Sequence, residues 1–168
     1  GIMTATQLLK KNASLDIAII DPAETHYYQP AWTLVGAGAY DYKNTARSMA
    51  SLIPKSVTWV KDFVTSFQAD EHTIDTENSG KIGYEFLVVA PGLVMDPSLI
   101  EGLTEAMEKG IVCSNYTNPK HTWETIKNFK GGNALFTQPT TPIKCGGAPQ
   151  KIAYLAADYF RKSGVAKK

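Results

Sequence analysis

Over the first eleven residues, GIMTATQLLKK, the apolar Ile2, Ala5, Leu8 and Leu9 recur at helical spacing between polar positions and predict an amphipathic helix. Asn12, Ala13 and Ser14 break that period. Residues 15–20 then form a nearly unbroken apolar run, closed by Asp21 and Pro22. A run of this kind predicts a parallel strand buried on both faces. A helix feeding such a strand is the second half of a βαβ unit. The chain is therefore expected to begin in mid-motif, with a first strand and its turn ahead of Gly1.

Residues 23–39 are aromatic and Gly-rich, a composition that suits a loop wrapped over a ligand better than a regular element. A short helix is predicted over 45–52, stopped before Pro54. Strands follow at 57–61, 63–69 and 72–76, with Asn78-Ser79-Gly80 as a turn, giving a small antiparallel meander. Residues 86–90 (FLVVA) again predict a buried parallel strand, closed by Pro91-Gly92. A link through 103–110 leads to a helix over 119–129, a short strand at 133–137 and a loop over 138–147. The last helix spans 148–163, with Ile152, Leu155, Ala156, Tyr159 and Phe160 on one stripe. The order is that of an α/β chain: a partial Rossmann-like domain over 1–110 holding the meander, then the start of a second such domain over 111–168.

Composition narrows the classes. Apolar residues make up 43% of the 168 and charged residues 20%, enough to bury a core. Seventeen Lys and Arg against 16 Asp and Glu leave a net charge of +1, and no basic run is denser than a pair such as Lys167-Lys168. Nucleic acid is thereby disfavoured as the main partner, because phosphate binding needs clustered positive charge. No apolar stretch approaches the about 20 residues that span a bilayer. Two cysteines, Cys113 and Cys145, are too few for a disulfide-stapled fold. His26, His72 and His121 are scattered without metal-ligand spacing, so no metal site is expected.

Three features carry chemistry. Asp21 closes a buried strand 20 residues after Gly1. In dinucleotide-binding folds an acid at that place accepts hydrogen bonds from ribose hydroxyls, and Gly1 would be the last glycine of the phosphate turn. A plain strand-end acid before a turn-making proline is the alternative, and the spacing leaves both open. Ala90-Pro91-Gly92 gives a small exit past a strand end, where backbone can approach a cofactor, or a simple turn. Cys145 lies in Thr141-Pro142-Ile143-Lys144-Cys145-Gly146-Gly147-Ala148-Pro149-Gln150-Lys151, between strand and helix. The helix N-terminus and Lys144 both favour its thiolate. Gly146 and Gly147 leave room for a substrate or flavin ring, and Pro149 suits the first helical turn. A small packing cysteine is the alternative, but this setting favours a reactive thiol. Cys113 has no basic neighbour and reads as packing. Tyr27, Tyr28 and Trp32 could stack on a cofactor or pin their loop to the core.

Taken together, DPAETHYYQPAWTLVGAG at 21–38, the Ala90-Pro91-Gly92 exit and TPIKCGGAPQK at 141–151 resemble the sulfide:quinone oxidoreductases, the type found in mitochondria and many bacteria. The resemblance implies two dinucleotide-type domains, FAD and not NAD as cofactor, and sulfide and a membrane quinone as partners. A cysteine pair would oxidise sulfide to persulfide or sulfane sulfur. Carried over by position, Asp21 resembles the ribose ligand, Gly1 the phosphate-turn glycine, and Gln29 and Val64 FAD contacts. Ala90 and Gly92 resemble the strand exit beside the cofactor, and Cys145 the first redox cysteine. The second redox cysteine and the parts that meet quinone and membrane would lie beyond residue 168. The resemblance thus implies peripheral attachment to a bacterial cytoplasmic or mitochondrial inner membrane, with a homo-oligomer left open, and no turnover by these residues alone. A flavocytochrome sulfide dehydrogenase, a persulfide or disulfide reductase, and a non-catalytic FAD-domain piece are the rival readings.

Overall fold

The computed structural model describes residues 1–138, 140, 143 and 145–167. In chain order its elements begin with α1 (Ile2–Lys11), β1 (Ala18–Ile20), β2 (Thr25–Tyr27), α2 (Trp32–Gly36), β3 (Ala46–Ser48) and α3 (Met49–Leu52). They continue with β4 (Thr58–Val60), β5 (Val64–Gln68), β6 (Thr73–Thr76), β7 (Lys81–Gly83), α4 (Leu103–Glu108), α5 (Pro119–Asn128) and α6 (Ala148–Lys162). Contacts divide the chain into two compact units, Gly1–His26 with Arg47–Leu93 and Tyr27–Ala46 with Val94–Lys168.

In the first unit, α1 forms where its apolar spacing predicts. Lys10 and Lys11 fall in its last turn, where positive charge suits the negative end of the helix. Its inner face buries Ala5 against Met49, Ile53 and Val57, with Ile2, Leu9, Ile17, Ile19 and Trp59 packed around them. β1 and β4 pair in parallel, with Ala18 opposite Thr58, Ile19 opposite Trp59 and Ile20 opposite Val60. This corrects two expectations. The strand over 15–20 is only three residues long, and Ala18 is exposed, so it is not buried on both faces. The 57–61 strand leaves the meander for β1, because only there can Val57 and Trp59 join the core under α1.

The meander is instead β5-β6-β7. Its third strand, Lys81–Gly83, follows the Asn78-Ser79-Gly80 turn and sets Ile82 opposite the buried Ile74. Asp62, between β4 and β5, anchors that turn. Its carboxylate accepts the amides of Ser79 at 2.7 Å, Phe63 at 2.8 Å and Asn78 at 3.0 Å. The Ser79 side chain first, and these amide bonds after it, hold the Asp62 carboxyl well below the usual range, against the burial that would raise it.

The second unit is built on helices. α2 packs against α5 and α6, and Ile126, Ile152, Ala156 and Phe160 form its core, flanked by Trp123, Phe129 and Tyr159. Asn118 caps α5 by accepting the His121 amide at 3.1 Å, and Pro119 occupies the first turn. The stretch 23–39, expected as a loop, holds β2, a 3-10 turn over Gln29–Ala31 and α2. The reason is that Trp32, Val35 and Gly36 fall on one helical face and are buried. Trp32 donates its indole N–H to Thr45 Oγ1 at 3.2 Å and sits edge-on to Tyr27. Two glycines are required here. A side chain at Gly36 would overlap Asn115 Oδ1, and Gly38 adopts φ +71° under the Trp123 ring.

Residues 86–90 and 133–137 correct the sequence reading. Neither is a strand. Phe86, Val88 and Val89 are exposed, as is Leu135. A parallel strand is buried only when neighbours pair with both its edges, and no described strand pairs with either run. Residues 45–52 begin as 3-10 turn and strand, and only Met49–Leu52 is helical.

Candidate functional site

At the end of β1, Asp21 keeps its amide in the ladder, donating to Val60 O at 3.1 Å. Its Oδ1 accepts the Ala23 amide at 2.8 Å, and its carbonyl accepts the Trp59 indole N–H at 2.8 Å. Gly1 precedes α1 and Asp21 follows β1 within the same unit. β4 runs parallel to β1, and Val64 is the first residue of β5. Lys61 pairs with Glu24 at 2.9 Å and lies 4.5 Å over the Trp59 ring.

No side chain caps the first turn of α1 and no acid occupies it, so its amides present positive partial charge, as a pyrophosphate needs. A helix start supplies donors of the kind a phosphate requires, and a strand-end carboxylate an acceptor of the kind a ribose requires. Ala90 and Gly92 lie on the exposed run that follows the meander, Gly92 at φ +83°. The structure therefore places Gly1, Asp21 and Val64 in one compact unit. It does not set Ala90 and Gly92 at a strand exit, because residues 86–90 are not a strand.

In the second unit Gln29 opens the 3-10 turn ahead of α2, and Cys145 stands just ahead of α6. Cys145 is exposed, and its carbonyl accepts the Ala148 amide at 3.0 Å. Gly146 carries no contact that would exclude a ligand, and Pro149 sits in the first turn of α6 as predicted. Pro142 and Lys144 lie outside the described residues. The cation seen at the thiol is Lys151, whose Nζ lies 4.0 Å from Sγ. Sequence reasoning missed it, although it closes the quoted motif. A helical side chain leans toward the N-terminus of its helix, and Lys151 in the first turns of α6 thus reaches back to Cys145. Cys113 is half-buried, with no thiol partner in a disulfide.

No family model matches the chain. It is 45% identical to the mitochondrial sulfide:quinone oxidoreductase of Mus musculus over 98% of its length, and 46% identical to that of Dictyostelium discoideum over 100%. The chain is similar to one part of the sulfide:quinone oxidoreductases. It spans 37% and 38% of the length of these two relatives. The crystal structure of the sulfide:quinone oxidoreductase from Aquifex aeolicus matches all of the chain at a TM-score of 0.74, with 24% identity, and covers 39% of that protein's chain. That likeness shows the fold, a Rossmann-like α/β arrangement with a small meander. No helix among the described residues is long and apolar enough to cross a membrane.

Proposed function

We propose that the protein oxidises sulfide and passes the electrons to a quinone, using FAD held in part by this chain. The match to sulfide:quinone oxidoreductases along essentially the whole chain carries the reading. Residues 1–110 serve as the FAD-binding part and 111–168 open the second dinucleotide-type domain with the redox thiol. The first-turn amides of α1 meet the pyrophosphate behind Gly1, and Asp21 accepts the adenosine ribose hydroxyls. Gln29, Val64, Ala90 and Gly92 complete the contacts. FAD, when bound, supplies a two-electron acceptor that quinone can reoxidise. Cys145 would carry the sulfur taken from sulfide as a persulfide, the two electrons of that oxidation going to the FAD and the proton to solvent, with the Lys151 ammonium 4.0 Å from its Sγ. The protein works at a membrane surface, where the quinone resides.

Cys145→Ser in the natural full-length protein tests this. Bleaching of the flavin band by anaerobic sulfide should disappear, while the spectrum of bound flavin before sulfide stays as in the wild type. Reduction by sulfide at the wild-type rate would remove Cys145 from the chemistry.

A further inference from the structure

We propose that Trp59 is a positioning residue for Asp21, and that its indole N–H governs how well this protein distinguishes a ribose with both hydroxyls from one lacking the 2′-hydroxyl. The inference rests on the reading of Asp21 as the ribose ligand. It starts from the way the β1–β4 ladder ends. Thr58 donates to Ile17 O at 2.9 Å and Asp21 to Val60 O at 3.1 Å. In a continuing parallel ladder, the next amide of the partner strand would reach the Asp21 carbonyl. That amide, on Asp62, turns back instead and donates to Val60 O at 3.0 Å. The Asp21 carbonyl is left outside the ladder, and the Trp59 indole fills it at 2.8 Å across 38 positions of sequence.

Three constraints then fix one carboxylate. Pro22 holds Asp21 to extended backbone. The Ala23 amide holds Oδ1 at 2.8 Å. Trp59 holds the peptide plane between them. The indole is itself immobilised, because its ring packs on the Ala5, Met49, Ile53 and Val57 core. Lys61 covers the ring at 4.5 Å and ties to Glu24 at 2.9 Å. Asp21, Trp59, Lys61 and Glu24 thereby close a ring around the turn that follows β1. Without the N–H, the Asp21 peptide loses its partner and can rotate, and the carboxylate rotates with it.

The test uses the natural full-length protein freed of flavin. FAD affinity is read by fluorescence, with ADP and 2′-deoxy-ADP as competitors. The wild type should prefer ADP to the deoxy compound. Trp59→Phe should weaken FAD about fivefold, the order of one lost hydrogen bond, and bring the ADP preference close to one. Trp59→benzothienylalanine keeps the ring shape without the N–H and should do the same, even if the Phe variant folds poorly. In an Asp21→Asn background, neither change should have a further effect on the preference. If Asp21→Asn alone leaves the ADP preference intact, the ribose reading itself fails. If Asp21→Asn abolishes the preference while both Trp59 variants retain it, the ribose reading stands and the positioning role is overturned. Equal weakening of ADP and 2′-deoxy-ADP by the Trp59 variants would make Trp59 a packing residue only and would likewise overturn it.

Discussion

Residues 15–20 and 86–90 carry nearly the same message in sequence, an apolar run closed by a proline turn, and meet opposite fates in one unit. The first supplies β1, paired to β4 and roofed by α1. The second forms no strand and stays exposed, with Val88 and Val89 each 59% accessible. Residue type does not separate them. What does is a partner on the edge and a helix on the face. An apolar run states only that a strand would be stable if covered, and cover is a non-local property.

The sharpest way to break the comparison is to empty the covered side. Met49 is 3% exposed beneath α1. Met49→Ala should cost about 2–5 kcal/mol, as buried large-to-small changes do, seen as a lower urea midpoint. A cost near zero would mean that α1 does not cover β1 as described.

A smaller effect is expected at Asp62, which joins β4 to the meander turn. Its carboxyl titrates below its ordinary value of 3.8. Such a group stabilises the fold fully above that value, and the contribution is lost as pH falls through the depressed one. Asp62→Asn should therefore lower the melting temperature at neutral pH by several degrees. It should also flatten the loss of stability that the wild type shows below 3.8. Parallel acid curves for the two proteins would exclude this role.

The smallest change in stability is expected at the uncovered run. Val88→Ser should move the denaturation midpoint by no more than about 0.5 kcal/mol while reducing self-association, measured by light scattering of this 168-residue chain. A large loss of stability would mean that the run is covered after all.

The same contrast explains what was legible in the sequence. α1, α5 and α6 were readable because period, cap and last-turn charge are all local: Asn118-Pro119 opens α5, and the stripe ending at Phe160 runs the length of α6. β5, β6 and the Asn78-Ser79-Gly80 turn of the meander were readable, but its third strand, Lys81–Gly83, was not expected. The partner of β4 was not, because pairing with β1 joins residues 40 apart in register, Ala18 to Thr58. Asp62 and Trp59 look ordinary in sequence, since their roles come from groups far along the chain. At the site, Asp21 and Cys145 were visible as residues in motifs. Lys151 was visible only as the end of a motif, and its approach to sulfur needs one turn of α6 to exist.

The glycine of α2 that faces Asn115 has a consequence for how this protein can change over generations. Any replacement of glycine by another residue adds a Cβ, and at position 36 that atom would overlap Asn115 Oδ1, itself buried without a hydrogen-bond partner among the described residues. Position 36 is therefore closed while Asn115 keeps its length. A shorter residue at 115 removes the obstructing amide together with its unpaired oxygen, and only then can position 36 drift. The two sites form a lock with a fixed order of opening, so lineages that carry a side chain at 36 should already have lost the asparagine at 115.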